Sequence, residues 1–248
     1  MAAAVKLHRH VVRRREARFL AEGPNLVEAA LRRGLVSEVF ATESALRRFG
    51  AMLTGAPVQL VTERAAKALS ETVTPVGLVA VCSLPEVDLA DVLGDGGRLV
   101  AVAVGISEPG NAGTLIRVAD AMGADAVVLA GHSVDPYNGK CLRGSAGSIF
   151  SIPVVTEPDA VQAVSVLGEA GLQVLATTVD GEVSLDDAAL DAPTAWLFGP
   201  ESHGLPSELA DMATHRVRIP MSGSAESLNV ASAASICLYQ SARAGRGD

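Results

Sequence analysis

The chain has 248 residues, of which 49% are hydrophobic, 19% are charged and only 3% are aromatic. This length suits two domains, because domains commonly contain about 100 to 150 residues, and the high apolar content excludes disorder over most of the chain. The longest apolar runs have the length of a strand, well short of the ~20 residues that a membrane-spanning helix needs. The basic N-terminus is not followed by an apolar run, so a secretory signal is not expected.

The formal net charge of −8 argues, taken alone, against a nucleic-acid partner. Its distribution along the chain changes this inference. Residues 1–22 carry a net charge of +4, with six basic and two acidic residues, whereas the rest of the chain carries −12. We therefore expect a basic N-terminal arm suited to following a phosphate backbone. Its basic residues are Lys6, Arg9, Arg13, Arg14, Arg15 and Arg18.

The three cysteines, Cys82, Cys141 and Cys237, lie far apart and lack the paired spacings of zinc sites and redox motifs. We expect them to be small buried hydrophobic residues in a reducing compartment. The sequence therefore predicts a cytoplasmic protein without a metal site.

The first third of the chain has the pattern of a small alternating α/β unit. Residues 84–98 contain Pro85 and the cluster Gly94-Asp95-Gly96-Gly97, which is typical of a linker. We expect a domain boundary there, between residues 1–90 and residues 97–248. In chain order, the predicted elements are a helix-forming stretch over 17–30 interrupted near Gly23-Pro24, a strand at 37–41, a helix at 44–53, an extended segment at 57–61, a helix at 62–70 capped by Thr62, and a strand at 77–83.

Beyond the linker, strands that are apolar on both faces alternate with helices. This pattern predicts the α/β fold class, with a mostly parallel sheet covered by helices on each side. The predicted strands are 99–106, 124–130, 152–155, 172–179, 194–198 and 216–221, and the predicted helices are 111–122, 140–149, 158–170, 206–212 and 227–243.

Open parallel sheets bind ligands at the carboxyl ends of their strands. Four segments rich in glycine and polar residues fall at these ends: 107–113, 131–138, 199–206 and 222–229. No G-x-G-x-x-G follows the first strand of either unit and the sequence contains no P-loop, which disfavours ordinary dinucleotide and nucleoside triphosphate binding.

Three of the loop-to-helix segments carry candidate chemistry. In the first, Arg117 lies opposite the apolar arc of its helix and is predicted to face solvent, where spacing alone also allows a weak ion pair with Asp120. For Asn111, the alternative to a chemical role is a structural one, as the N-cap of the helix. The second segment is a tight loop that carries Glu201 and His203 between glycines and prolines.

In the third segment, Ser227 is the predicted N-cap of the last helix. Asn229 follows in the first turn, where a carboxamide on an apolar helix needs hydrogen-bond partners that a ligand could supply. This helix is apolar or small around its whole circumference, which indicates burial in the core or against a second subunit.

Together, the three segments resemble the signature motifs of the SpoU/TrmH family of RNA 2′-O-ribose methyltransferases, which belongs to the SPOUT superfamily. The matching residues are Asn111-x-Gly113-x-x-x-Arg117, then Phe198-Gly199-x-Glu201-x-x-Gly204-Leu205, then Ile219-Pro220-Met221 followed by Ser227-Leu228-Asn229-Val230. They occur in the family's order over residues 99–243.

The resemblance implies a C-terminal trefoil knot in the sheet domain and S-adenosylmethionine as the cofactor, held largely by backbone groups. It also implies a homodimer whose sites lie at the subunit interface. By motif match, the cofactor contacts are expected from Thr177, Gly199, Ile219, Met221 and Leu228.

The resemblance further implies that Arg117 activates the ribose hydroxyl. A guanidinium is a poor general base because its pKa exceeds 12. We therefore favour phosphate binding and stabilisation of the developing alkoxide, with proton acceptance left open. Asn111, Glu201, Ser227 and Asn229 are expected to orient the ribose and support Arg117.

The start of the chain around Phe19 to Gly23 resembles the family's small α/β substrate-binding domain. This domain is typical of the ribosomal RNA enzymes, so 23S ribosomal RNA is the expected substrate, with Arg9, Arg13, Arg14, Arg15 and Arg18 as RNA contacts. Three alternatives remain: a transfer RNA ribose methyltransferase, a catalytically silent RNA-binding relative, and an α/β enzyme acting on a small molecule. The sequence does not separate housekeeping modification from antibiotic resistance.

Overall fold

The computed structural model describes residues 1–94, 96–200 and 202–246, which form two sheets flanked by helices. The elements of the first unit are α1 (Ala2–Val5), a 3-10 helix (Lys6–His8), α2 (His10–Glu16), β1 (Arg18–Glu22), α3 (Pro24–Arg32), β2 (Val36–Ala41), α4 (Glu43–Phe49), a 3-10 helix (Gly50–Leu53), β3 (Val58–Leu60), α5 (Glu63–Leu69) and β4 (Leu78–Ser83).

The second unit is larger and alternates more regularly. Its elements are α6 (Leu89–Gly94), β5 (Leu99–Val104), α7 (Pro109–Ala121), β6 (Ala126–Ala130), α8 (Gly139–Ser145), a 3-10 helix (Ser148–Phe150), β7 (Val154–Glu157), α9 (Ala160–Glu169), β8 (Gln173–Thr177), β9 (Val183–Ser184), β10 (Thr194–Phe198), α10 (Ser207–Met212), β11 (His215–Arg218) and α11 (Val230–Arg246).

The first sheet has the strand order β1-β4-β2-β3, with β4 antiparallel to both of its neighbours and β2 parallel to β3. The prediction of helix over residues 17–22 is wrong, because the whole of Arg18–Glu22 pairs with β4. Pairing along a buried strand outweighs the weak helix preference of this stretch. The basic arm before it is also folded, since Ala4 and Leu7 are buried against Phe40 and Leu69.

The second sheet is parallel throughout, with the strand order β7-β6-β5-β10-β8-β11-β9. Its central strands β5, β6 and β10 are buried along their whole length. Helices α7, α8 and α11 cover one face and α6, α9 and α10 contribute to the core on the other. The predicted α/β class with a doubly covered parallel sheet is confirmed.

One apolar cluster extends across both units. The Phe19 ring of β1 lies with its centroid 4.8 Å from that of Tyr137 and 6.1 Å from that of Phe150. Helices α7 and α8 also pack closely against each other at Gly113 of α7. A Cβ at this position would collide with the carbonyl oxygen of Cys141 in α8. The first unit therefore packs against the helix pair that carries the first motif.

Several predicted boundaries need correction. The predicted linker contains α6, the two-residue β9 was not predicted, and β11 ends at Arg218 rather than at residue 221. Helix α11 begins at Val230, so Ser227 is not its N-cap. Thr62 does cap α5, where its hydroxyl accepts a hydrogen bond from the Ala65 N–H at 3.2 Å.

Cys82, Cys141 and Cys237 are buried and unpaired, as predicted, and burial raises the pKa of each thiol to about 12. Across the described ranges, no helix is both long enough and apolar enough to cross a membrane.

Candidate active site

A cavity of about 490 Å³ opens at the carboxyl ends of β8, β10 and β11. The segments that follow these strands line it together with the start of α11, which agrees with the general position of ligands in parallel sheets. The structure places all five predicted cofactor residues in its wall: Thr177, Gly199, Ile219, Met221 and Leu228. Of the predicted catalytic residues, Ser227 also lines it.

Gly199 allows the loop after β10 to fold back tightly on itself. A Cβ at this position would lie 2.5 Å from the Leu205 nitrogen and 2.6 Å from the Gly204 carbonyl carbon. The Gly204 N–H donates to the Pro200 oxygen at 2.8 Å and closes the turn. Any side chain at residue 199 would therefore collide with backbone and displace this wall of the cavity. Glu201, which the motif match assigned to catalysis, lies outside the described residues.

The charged side chains in the cavity wall are acidic. Asp180, Glu226 and His203 line it, and no Lys or Arg is among its described lining residues. The His203 Nδ1 lies 2.7 Å from the Ser202 hydroxyl oxygen. Such a wall attracts cations and repels phosphates. The sequence-based reasoning did not select Asp180, although the Asp180-Gly181 pair directly after a buried strand was a turn signal at the ligand-binding edge.

Two asparagines link the starts of α7 and α11. The Asn229 Nδ2 donates to Asn111 Oδ1 at 3.1 Å. Asn229 Oδ1 accepts from the N–H groups of Ala231 and Ser232 at 3.0 and 3.3 Å, so Asn229 caps α11 in the place predicted for Ser227. Asn111 is not an N-cap, because α7 begins at Pro109 and Glu108 caps it through the Gly110 N–H.

Arg117 faces solvent, as its position opposite the apolar arc predicted. It lies six residues beyond Asn111, about 9 Å along α7 and about 120° around it. It makes no ion pair with Asp120, and it is not among the described residues of the cavity wall. One chain therefore brings together Asn111, Asn229 and the cavity, and leaves Arg117 on an open surface.

The N-terminal arginines differ in exposure. Arg9, Arg14, Arg15 and Arg18 are exposed. The prediction of Arg13 as an RNA contact needs correction, because its side chain is buried and its Nη2 lies 2.6 Å from Asp135 Oδ2. A buried guanidinium that is already paired with a carboxylate is not accessible to a phosphate.

Known protein families match both parts of the chain. The SpoU rRNA methylase family matches residues 98–239, and the MRM3-like substrate-binding domain matches residues 2–80. The chain belongs to the SpoU rRNA methylase family.

Relatives match along nearly the whole chain. The 23S rRNA (guanosine(2553)-2′-O)-methyltransferase RlmP of Bacillus subtilis is 37% identical over 235 residues, which cover 94% of this chain and 92% of that protein. The AdoMet-bound rRNA methyltransferase from Sinorhizobium meliloti has a TM-score of 0.87 at 30% identity, covering 98% of this chain and 93% of that one. AviRb from Streptomyces viridochromogenes, a SpoU methyltransferase in complex with the cofactor AdoMet, has a TM-score of 0.86 at 29% identity and covers 99% of this chain and 98% of that one.

Proposed function

We propose that this protein transfers the methyl group of S-adenosylmethionine to a ribose 2′-oxygen of 23S ribosomal RNA. The observation that carries the proposal is the cavity, whose wall contains all five residues that the family motifs assign to the cofactor. Similarity to the Bacillus subtilis enzyme over 94% of this chain supports ribosomal RNA over transfer RNA as the substrate.

The charges in the cavity wall complement those of S-adenosylmethionine. This cofactor carries a sulfonium and an ammonium against one carboxylate, and the exposed carboxylates of Asp180 and Glu226 complement the two cations. Gly199 contributes to this fit by letting Gly204 and Leu205 pack against it, which sets the shape of this wall of the cavity.

When bound, S-adenosylmethionine supplies an electrophilic methyl group that leaves behind a neutral thioether once the ribose oxygen has attacked it. The residues of the chain therefore mainly have to align the ribose and favour loss of its proton. The Asn111–Asn229 pair holds two carboxamides beside the cavity to orient the ribose, with Ser227 and Glu201 as further contacts. Arg117 binds the phosphate next to the ribose and stabilises the developing alkoxide.

The position of Arg117 supports a homodimer whose site is completed across the subunit interface. Within one chain, Arg117 is exposed and apart from the cavity wall. Helix α11, which begins at the cavity, also exposes Ile236 and Tyr239 one turn apart, with 37% and 50% of their surfaces accessible. A second copy would cover these apolar side chains and bring a further Arg117 towards the site.

The strand order supports the C-terminal trefoil knot. Strand β11 lies between β8 and β9, which are joined directly by residues 178–182. The Thr178 N–H donates to the Val217 oxygen at 3.1 Å, and the Leu185 N–H donates to the Arg218 oxygen at 2.9 Å. A later strand inserted between two directly connected ones is the arrangement expected when the C-terminal segment passes through an earlier loop.

Residues 1–90 act in this proposal as the RNA-binding module and residues 97–248 as the methyltransferase domain. The exposed Arg9, Arg14, Arg15 and Arg18 give the module its phosphate contacts. At the active site, the 2′-hydroxyl of the ribose distinguishes RNA from DNA. Because ribosomal RNA is the proposed substrate, we expect the protein to act in the cytoplasm.

The proposal is tested by transfer of labelled methyl from S-adenosylmethionine to unmodified 23S ribosomal RNA and to transfer RNA in parallel. Label in 23S RNA that protects one phosphodiester bond from alkali is the expected result, because a methylated 2′-oxygen cannot attack the phosphate. Label only in transfer RNA would overturn the substrate. Cofactor binding without transfer to free RNA or to ribosomal precursor particles would favour the catalytically silent relative.

A further inference from the structure

Lys140 lies beside the start of α7 and has no role in the site described above. It is exposed in the first turn of α8, and its Nζ donates to Glu108 Oε1 at 2.5 Å. A Cβ at Gly110 would lie 3.8 Å from Lys140 Cε. Gly110 directly precedes Asn111, whose Oδ1 accepts from Asn229. Lys140 therefore lies against the turn of α7 that carries Asn111.

The position of Lys140 in the sheet domain is on the ligand-binding edge. Helices α7 and α8 begin at the carboxyl ends of β5 and β6, and the cavity opens at the carboxyl ends of β8, β10 and β11. Segment 131–138, which leads into α8, is one of the four glycine-rich and polar segments that the sequence places at this edge. Lys140 thus lies on the same edge as the cavity, outside its wall.

A substrate RNA needs a cation at this place. Each ribose within an RNA chain is flanked by two phosphates, so a ribose held at Asn111 brings phosphates to this edge. The carboxylates of Asp180 and Glu226 in the cavity wall repel them. Arg117 of the same chain lies about 9 Å along α7 from Asn111. Lys140 is an exposed cation much closer to that asparagine in the fold.

The ion pair between Lys140 and Glu108 can be exchanged for another anion. The two side chains are 61% and 51% exposed, and exposed ion pairs contribute little to stability. Glu108 also accepts from the Gly110 N–H at 3.2 Å, so it still caps α7 when Lys140 leaves it. Resting on the proposed function, we propose that Lys140 binds a backbone phosphate of the RNA next to the target ribose. Glu108 holds the ammonium group in the free protein and is displaced by that phosphate.

The test compares Lys140→Ala and Glu108→Gln in methyl transfer to unmodified 23S ribosomal RNA and in binding of the same RNA without cofactor. Lys140→Ala is expected to raise the KM for RNA about tenfold with a smaller change in kcat. It should also reduce the slope of log K against log salt by about 1, because one charged phosphate contact is lost. Glu108→Gln is expected to lower the KM about two- to fivefold, since the phosphate no longer competes with a carboxylate.

Three further measurements separate phosphate binding from other effects of these substitutions. Lys140→Arg keeps the cation and should restore most of the RNA affinity. Glu169→Gln makes the same change of charge as Glu108→Gln at the exposed end of α9, on the opposite edge of the sheet, and should leave the KM unchanged. The Kd for S-adenosylmethionine should be the same in Lys140→Ala as in the parent protein, because Lys140 is not among the described residues of the cavity wall.

Weaker RNA binding by both Lys140→Ala and Glu108→Gln would overturn the proposal, because a purely structural ion pair predicts that result. An unchanged KM and salt slope in Lys140→Ala would overturn it as well. A raised Kd for S-adenosylmethionine in that variant would assign the lysine to the cofactor carboxylate and contradict phosphate binding. Failure of the parent protein to methylate 23S RNA would instead overturn the proposed function, and the binding measurements would still decide the role of Lys140.

Discussion

Arg13 donates to Asp135 from two atoms of its guanidinium, from Nη2 at 2.6 Å and from Nε at 2.8 Å. Its Nη1 donates to the carbonyl oxygens of Leu7 and His8, both at 2.8 Å. Asp135 lies in the loop between β6 and α8, so this buried pair ties the N-terminal segment to the methyltransferase sheet. The ion pair joins the two units of the chain directly.

Arg13→Ala is expected to lower the free energy of unfolding by about 3 kcal/mol, because it leaves the largely buried Asp135 carboxylate without its cation. Chemical denaturation measures this change. The control is Arg15→Ala, which removes an exposed pair with Glu16 and should cost less than about 1 kcal/mol. Equal effects of the two substitutions would show that the buried Arg13 pair contributes no more to stability than an exposed one.

The stability of the fold at the start of α7 is predicted to depend on pH. Lys140 donates to Glu108 at 2.5 Å, and this hydrogen bond, with a second from the Gly110 N–H, lowers the pKa of Glu108 from its ordinary value of 4.5. A carboxyl group with a lowered pKa in the folded state stabilises the fold above its ordinary pKa, and this contribution is lost as the pH falls below 4.5.

Lys140→Met is therefore expected to raise the pKa of Glu108 towards 4.5, as followed by NMR titration of its carboxyl carbon. The control is Lys67→Met in α5, which removes a lysine of the first unit and should leave the titration of Glu108 unchanged. A Glu108 pKa that does not respond to loss of Lys140 would contradict the assigned cause.

Asn229 combines a structural and a functional role that two substitutions can separate. Asn229→Asp keeps an oxygen to cap α11 and loses the Nδ2 donor to Asn111, so we expect nearly normal stability and a methyl transfer rate reduced about tenfold or more. Asn229→Ala loses both and should also be destabilised by about 1 kcal/mol. Thermal melting and single-turnover transfer report the two effects. A fully active Asn229→Asp variant would remove the Asn111 contact from the mechanism.

Exposed arginines of the module are expected to set the salt dependence of RNA binding. Arg14→Ala and Arg18→Ala should each weaken binding and reduce the slope of log K against log salt by about 1, because each removes one phosphate contact. The matched control is Arg98→Ala, an exposed arginine at the amino end of β5, away from the cavity. An unchanged slope for Arg14 and Arg18 would place the RNA on another surface. Substitutions are preferable to deletion of the arm, which would remove the buried Leu7.

The features that local sequence determines were predictable. Apolar runs at β5, β6 and β10 identified buried parallel strands, the Thr62 cap followed from its position before a helix, and the motif segments met at one edge of the sheet. Each of these depends on a short stretch of chain and on the general geometry of parallel sheets.

The features that depend on distant contacts were not predictable. Residues 18–22 become a strand because β4 pairs with them, and Arg13 is buried because Asp135, 122 positions away, accepts its hydrogen bonds. The hydrogen bond from the Thr177 hydroxyl to the Leu197 oxygen is likewise visible only once the fold brings the ends of β8 and β10 together. Such choices are decided by tertiary packing, which composition and periodicity do not encode.

The most direct test of ribose methylation at this site is the single-turnover rate of methyl transfer to 23S ribosomal RNA by the parent protein and by Arg117→Ala, with the Kd for S-adenosylmethionine measured on both. We expect the rate to fall roughly 100-fold, because a cation at the developing alkoxide is lost, and the Kd to stay the same, because Arg117 is not part of the described cavity wall. An unchanged rate in Arg117→Ala would contradict the assignment of Arg117 and the mechanism built on it.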